Sequence, residues 1–258
     1  MTEAARRKPG TPCWVSLMVH DLDATQEFYG ALFGWRFRPG PHQLGPYVRG
    51  LMDDREVAGI GRLPGERSLP VAWTPYLASD DADETAESIR CSGGTVAVGP
   101  LDAAHAGRMV ICSDPTGAVF GVWQAAAHLG TAVAGTHGTP AWHELLTQET
   151  EAVSKFYKTV FGYELDPLVS ADLDLVTLRV GDRAVASLHG VGAALPRDRG
   201  AHWMTWFRVA DTDESARLVT ELGGQVLEPP RDDPAGRLAT VADPEGAVFT
   251  IVRSSTGR

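Results

Sequence analysis

Along the first apolar stretch, "CWVSLMV" (13–19), side chains alternate between two faces. Trp14, Ser16 and Met18 share one face, and Val15, Leu17 and Val19 the other; this is the period of a strand with one side under a helix. The period then changes. Phe28 and Leu32 recur at helical spacing, behind Asp21–Asp23, which suits a helix start, and ahead of Gly34, which suits its end. Short apolar runs to residue 62 read as strands, and residues 71–124 repeat the order of strand, helix, strands. The second helix follows "DDADE" (80–84), sets Ala86 and Ile89 on one face and stops at Gly93-Gly94. "DPTG" (114–117) is a turn signal, with Asp first, Pro fixing φ and Gly fourth, so the apolar run behind it closes a hairpin.

The whole pattern is written twice. "GTPCW" (10–14) returns as "GTPAW" (138–142), "EFYGALFGW" (27–35) as "KFYKTVFGY" (155–163), and "DPTGAVFGVW" (114–123) as "DPEGAVFTIV" (243–252). Phe156 and Val160 repeat the first helix, and Ala216 and Val219 the second, before Gly223-Gly224. Two similar domains follow, 11–124 and 138–253, joined by a linker at 125–137 that is rich in Ala, Gly and Thr. A unit of about 55 residues with one helix on one side of a short sheet buries too little alone. Pairing two such units inside each half solves this, with helices outside and curved sheets around a cup suited to a small ligand. Pairing across halves or through a second copy stays open, as does the choice between monomer and homodimer. The fold class is α+β.

Composition narrows the partners. With 33 acidic and 23 basic residues the net charge is −10, which argues against nucleic acid or an anionic membrane surface. Cys13, Cys91 and Cys112 offer neither a disulfide framework nor a CxxC metal knuckle. No apolar stretch follows the basic start and no run of about 18 apolar residues occurs, so a cytoplasmic protein is expected.

"DLDATQEFYGALFGW", "SGGTV", "DPTGAVFGVW" and their second-half counterparts resemble the vicinal oxygen chelate superfamily, which contains glyoxalase I, extradiol dioxygenases, fosfomycin-resistance enzymes and bleomycin-binding proteins. The chain looks most like the tandem two-domain proteins of actinobacteria. The resemblance covers 11–124 and 138–253 and implies four βαβββ modules forming two glyoxalase-like domains. Metal enzymes of that superfamily hold a divalent ion through His, Glu or Gln at strand positions that match Trp14 and Trp142, Thr74 and Met204, and Gly121 and Thr250 here. A catalytic ion needs about three imidazole, carboxylate or thiolate ligands. These positions supply none, so neither a metal nor any other cofactor is expected, although His189 could approach the remaining position.

Trp14 and Trp142 therefore point into the cups, with Tyr76, Trp123, Met204 and Trp206 on neighbouring strands. Six of the seven tryptophans, all but Trp35, fall on strands lining a cup. The aromatic residues either collapse into a core or form stacking walls for a flat ligand. Glu144 and Arg208 either form a structural ion pair or serve as acid–base groups, while His143 points the other way. The leading expectation is metal-free binding of a small aromatic or polycyclic natural product, for sequestration, delivery or resistance. The alternatives are a cofactor-independent cyclase, isomerase or ring-opening enzyme, and then a metal-dependent lyase or dioxygenase. Ser16 against Glu144, and Ala78 against Arg208, make the second half the working one.

Overall fold

A computed structural model describes residues 6–40, 45–63, 70–170 and 173–254. The first half contains β1 (Pro12–Val19), α1 (Leu22–Phe33), β2 (Arg36–Pro39), β3 (Tyr47–Met52), β4 (Arg55–Arg62), β5 (Trp73–Ser79), α2 (Ala82–Cys91), β6 (Thr95–Asp102), β7 (Gly107–Ser113) and β8 (Val119–Ala125). The second half repeats it with β9 (Pro140–Thr147), α3 (Thr150–Phe161), β10 (Glu164–Ser170), β11 (Leu173–Val180), β12 (Arg183–Gly190), β13 (His202–Arg208), α4 (Thr212–Glu221), β14 (Gln225–Asp233), β15 (Gly236–Ala242) and β16 (Val248–Ser254). Each half forms one mixed eight-stranded sheet, ordered β2-β3-β4-β1-β5-β8-β7-β6 and β10-β11-β12-β9-β13-β16-β15-β14. The α+β class and the βαβββ modules are as the sequence predicts.

Local signals explain the helices. The Asp21 carboxylate accepts from the amides of Asp23 and Ala24, and α1 ends at Gly34, held at φ 72°, where a side chain would be strained. Glu149 gives α3 no side-chain cap. Asp174, from β11, takes that role by accepting from the Thr150 amide at 2.9 Å and its hydroxyl at 2.5 Å.

The sheets follow the halves, but the cores do not. One compact unit comprises Thr74–Gly130, His143–Trp203 and the residues up to Trp14. Its core joins Ala86 and Ile89 of α2 to Val153, Phe156 and Tyr157 of α3. The other comprises Val15–Trp73, Thr131–Trp142 and the chain from Met204. Its core joins Phe28, Tyr29 and Leu32 of α1 to Ala216 and Val219 of α4. The apolar helix faces are thus buried across the halves rather than inside one. β1 and β9 begin in one unit and end in the other. Thr11 pairs with Ala78 of β5, whereas Ser16 to Val19 pair with β4.

Repeated residues bind each unit together. In one unit the Tyr157 hydroxyl donates to Asp114 at 3.0 Å and accepts from the Trp203 indole at 3.0 Å. In the other, Tyr29, Asp243 and Trp73 repeat the arrangement at 3.0 and 2.9 Å. Burial, with the adjacent carboxylate, holds both tyrosines well above the ordinary phenol pKa. The repeated G-T-P-x-W opening has a matching role. Tyr163 donates its hydroxyl to the Gly10 carbonyl, and the Trp35 indole donates to the Gly138 carbonyl at 2.8 Å. A Cβ on Gly10 would lie 2.9 Å from the Tyr163 ring, and one on Gly138 would lie 2.9 Å from the Phe33 carbonyl.

The segment predicted as a linker lacks regular structure but is anchored. Val133 is buried in the core containing α1, and the amide of Ala132 donates to Glu56.

Candidate active site

On each sheet the strand face away from the helices carries the residues singled out from the sequence. Val15, Leu17 and Val19 lie in a core beneath a helix, as does Leu77, leaving Trp14, Ser16 and Tyr76 on the opposite side of their strands.

In the first half that face is filled from within. Trp14, Tyr76 and Trp123 are 6 to 8 % exposed and form a cluster with Cys13, Ala78, Ala103 and Ala106. The His128 ring packs edge-on against Trp14 at 4.5 Å and Trp123 at 5.6 Å, and Trp123 donates its indole N–H to the His128 carbonyl. Tyr76 pairs with Gly121, where a Cβ would stand 2.3 Å from the Tyr76 ring. The superfamily's last ligand position is therefore covered by an aromatic ring. In the other unit Tyr47 lies across Gly59 in the same way, and its hydroxyl is 3.0 Å from Ser16 Oγ. His128 and Tyr47 escaped sequence reasoning because one lies in an apparent linker and the other on a strand without a repeated motif.

In the second half the corresponding glycines are gone. Gly59 is answered by Ser187, which pairs with Glu144, and Gly121 by Thr250, which pairs with Trp206. Within the first-described unit, Glu144 Oε1 accepts from Ser187 Oγ at 3.3 Å and stands 3.6 Å from His189 Nδ1. The Glu144 carboxylate raises the His189 pKa against the opposing effect of burial. His143 points to the other side, is buried, and has its pKa pushed down to about 4 by that burial.

The other unit carries Trp142 and the row Met204, Trp206 and Arg208 on alternate positions of β13, with Phe207 and Val209 on the core side. Met204 is buried, whereas Trp142, Trp206 and Arg208 are half-buried. Trp206 Nε1 and Arg208 Nε are closed to solvent and have no hydrogen-bond partner among the described residues. Of the two polar residues paired in the sequence reading, Glu144 is engaged by Ser187 and His189 in one unit, and Arg208 lies in the other, where no carboxylate is seen to pair with it among the described residues.

Two tryptophans need correction. Trp73 and Trp203 lie on cup strands but face the helix cores, 2 and 4 % exposed, with their indoles held by Tyr29 and Tyr157.

The donor set does not fit a divalent ion. The family positions hold indole, hydroxyl, thioether and glycine, and no three His, Cys, Asp or Glu side chains are gathered for a metal among the described residues.

Comparison with known proteins identifies the superfamily. A glyoxalase-like domain matches residues 128–252, and a bleomycin resistance protein-like N-terminal model matches 12–48. CFP32 of Mycobacterium tuberculosis, provisionally named a glyoxylase, is 34 % identical over 98 % of both chains. The chain belongs to the vicinal oxygen chelate superfamily. Another superfamily relative, the anthracycline biosynthesis protein DnrV of Streptomyces peucetius, is 35 % identical, covering 98 % of this chain and 96 % of its own. Among solved structures, the 2,3-dioxygenase LapB from Pseudomonas superposes with TM-score 0.68 at 14 % identity, covering 97 % of this chain and 94 % of its own. The Mn(II)-bound glyoxalase from Novosphingobium aromaticivorans does so with 0.66 at 16 % identity, covering 95 and 82 %. These two likenesses concern the superfamily fold. No helix among the described residues is long and apolar enough to cross a membrane.

Proposed function

We propose that the chain binds a small aromatic or polycyclic natural product on the inner face of its second-half sheet, without a metal, and so sequesters, delivers or protects it. The observation carrying this reading is that Trp142 and Trp206 stay partly open to solvent at positions whose first-half counterparts, Trp14 and Tyr76, are buried against their neighbours. A partly exposed indole on a sheet's inner face offers a flat apolar wall. The name of DnrV, a protein of anthracycline biosynthesis, supports a polycyclic ligand. Titration with a tetracyclic anthracycline, followed by tryptophan fluorescence, tests the proposal. Trp206→Ala should weaken binding about tenfold, in line with the loss of one stacking partner and its apolar contact. Trp14→Ala should leave affinity within about twofold while lowering stability. Equal affinity in wild type and Trp206→Ala would refute it.

The Ser187–Glu144–His189 contacts, all within one unit, favour a second reading, in which a small molecule held beside them loses a proton to this group. Loss of turnover in a folded Glu144→Gln variant, with binding retained, would support catalysis; unchanged turnover would remove Glu144 from it.

A further inference from the structure

We infer that the bound aromatic molecule carries an anionic oxygen, a carboxylate or an ionised phenol or enol, and that the Arg208 guanidinium receives it while the molecule's ring lies on Trp206. The inference deepens the binding reading above and rests on it. Its basis is how this chain treats its partly buried arginines, since exposed ones such as Arg55, Arg62, Arg183 and Arg217 meet no carboxylate among the described residues either. Arg49 meets Glu56 at 2.6 Å, Arg108 meets Asp83 and Asp102 at 2.7 and 2.8 Å, and Arg237 meets Asp213 and Asp232 at 2.5 and 3.1 Å. In a protein with ten more acidic than basic residues, carboxylates are plentiful. Arg208 nevertheless has none among the described residues, and its Nε is closed to solvent without an acceptor.

The residues beside it cannot supply one. Across the sheet Arg208 pairs with Val252, which pairs with Leu238, and both are 2 % exposed and apolar. The next position along β13 on the same face is Trp206, whose indole N–H is likewise unsatisfied. Two buried donors without acceptors, one of them charged, destabilise the fold that displays them. Arg208 as a whole is only partly buried, so an external acceptor can reach its guanidinium beyond Nε and supply the missing charge. Positions i and i+2 of a strand lie about 6.6 Å apart, so a flat molecule lying on Trp206 can carry an oxygen to Arg208. A guanidinium discriminates for charge, because its hydrogen bonds to an anion are about twice as strong as those to a neutral acceptor. The first-half counterpart of Arg208 is Ala78, beside Trp123, so only the second-half sheet has this feature.

The test uses anthraquinone-2-carboxylate and its uncharged analogue anthraquinone-2-carboxamide as probes, titrated calorimetrically against the full-length protein. The carboxylate should bind at least tenfold more tightly to wild type. Arg208→Gln should abolish that preference, Arg208→Lys should keep part of it, and Trp206→Phe should weaken both probes alike. Thermal melts check that each variant folds. Equal affinity of the two probes for wild type would overturn the inference and leave the aromatic-binding reading intact, and so would a preference that survives Arg208→Gln. Binding of neither probe would overturn both.

Discussion

Arg208 is the residue at which stability and purpose part. A half-buried guanidinium without a carboxylate raises the free energy of the ligand-free protein. Replacing it with Met, which can lie beside Val252 and Leu238, should therefore raise the ligand-free thermal midpoint by a few degrees, corresponding to about 1–3 kcal/mol. Differential scanning calorimetry on the two proteins checks this, and a lower midpoint would contradict it. His143 sets a second residue-scale expectation. Its folded pKa of about 4 lies below the ordinary histidine value of 6.5, so the unfolded chain binds the proton first as pH falls. The stability contributed is complete above about pH 6.5 and is lost towards pH 4, on the order of 3 kcal/mol in all. His202 acts in the same direction, whereas the raised pKa of His189 opposes it. Urea unfolding at pH 7 and pH 4 should show a smaller difference for His143→Val, which places at 143 the residue found at the matching position 15. The alternation of polar and apolar side chains had placed His143 away from Glu144. It could not show that Glu144 would meet Ser187 and His189, because that contact depends on the parallel register of β12 against β9.

At the scale of elements, the two halves share strand order and differ in what lies on the inner face. Gly121, on β8, lies beneath the Tyr76 ring, so Gly121→Ala would force a methyl group to within 2.3 Å of that ring. The expected cost is about 1–3 kcal/mol, measured by chemical denaturation, because a packed aromatic ring on a sheet has little room to shift. No such cost should follow Thr250→Ser at the matching position of β16, where the sheet already accepts a branched side chain. The helices, their capping aspartates and the D-P-x-G hairpins were legible in the sequence because each is decided by a few neighbouring residues. The alternation that turns Tyr76 and Trp206 inward also turns Trp73 and Trp203 toward the cores, but their partners were not legible. Each indole meets a tyrosine hydroxyl contributed from far along the chain. Local periodicity carries no information about such a partner. The same limit applies to His128, whose ring is fixed by Trp14 and Trp123 rather than by its own sequence neighbours.

At the scale of the whole molecule, the duplicated sequence invites a division at the linker that the packing does not support. Each core draws its helices from both halves, α2 with α3 and α1 with α4. Residues 1–126 produced alone should therefore expose two apolar helix faces and fail to melt cooperatively, while mixing them with residues 127–258 should restore dispersed amide resonances. A first half that melts cooperatively alone as a monomer would contradict this account of the cores. The exchange of bonds between repeated segments, Tyr163 to Gly10 and Trp35 to Gly138, also bears on how the protein is made. A chain emerging from the ribosome presents Gly10 long before Tyr163 exists. Its first sheet can pair, but the core around α2 waits for residues as late as Trp203, and that around α1 for residues as late as Ile251. Folding is then largely a post-synthetic event dominated by distant contacts, and the nascent chain shows apolar surface throughout. The first half, its inner face filled by its own rings, supplies one helix to each of the two cores, so neither core is complete until both halves exist.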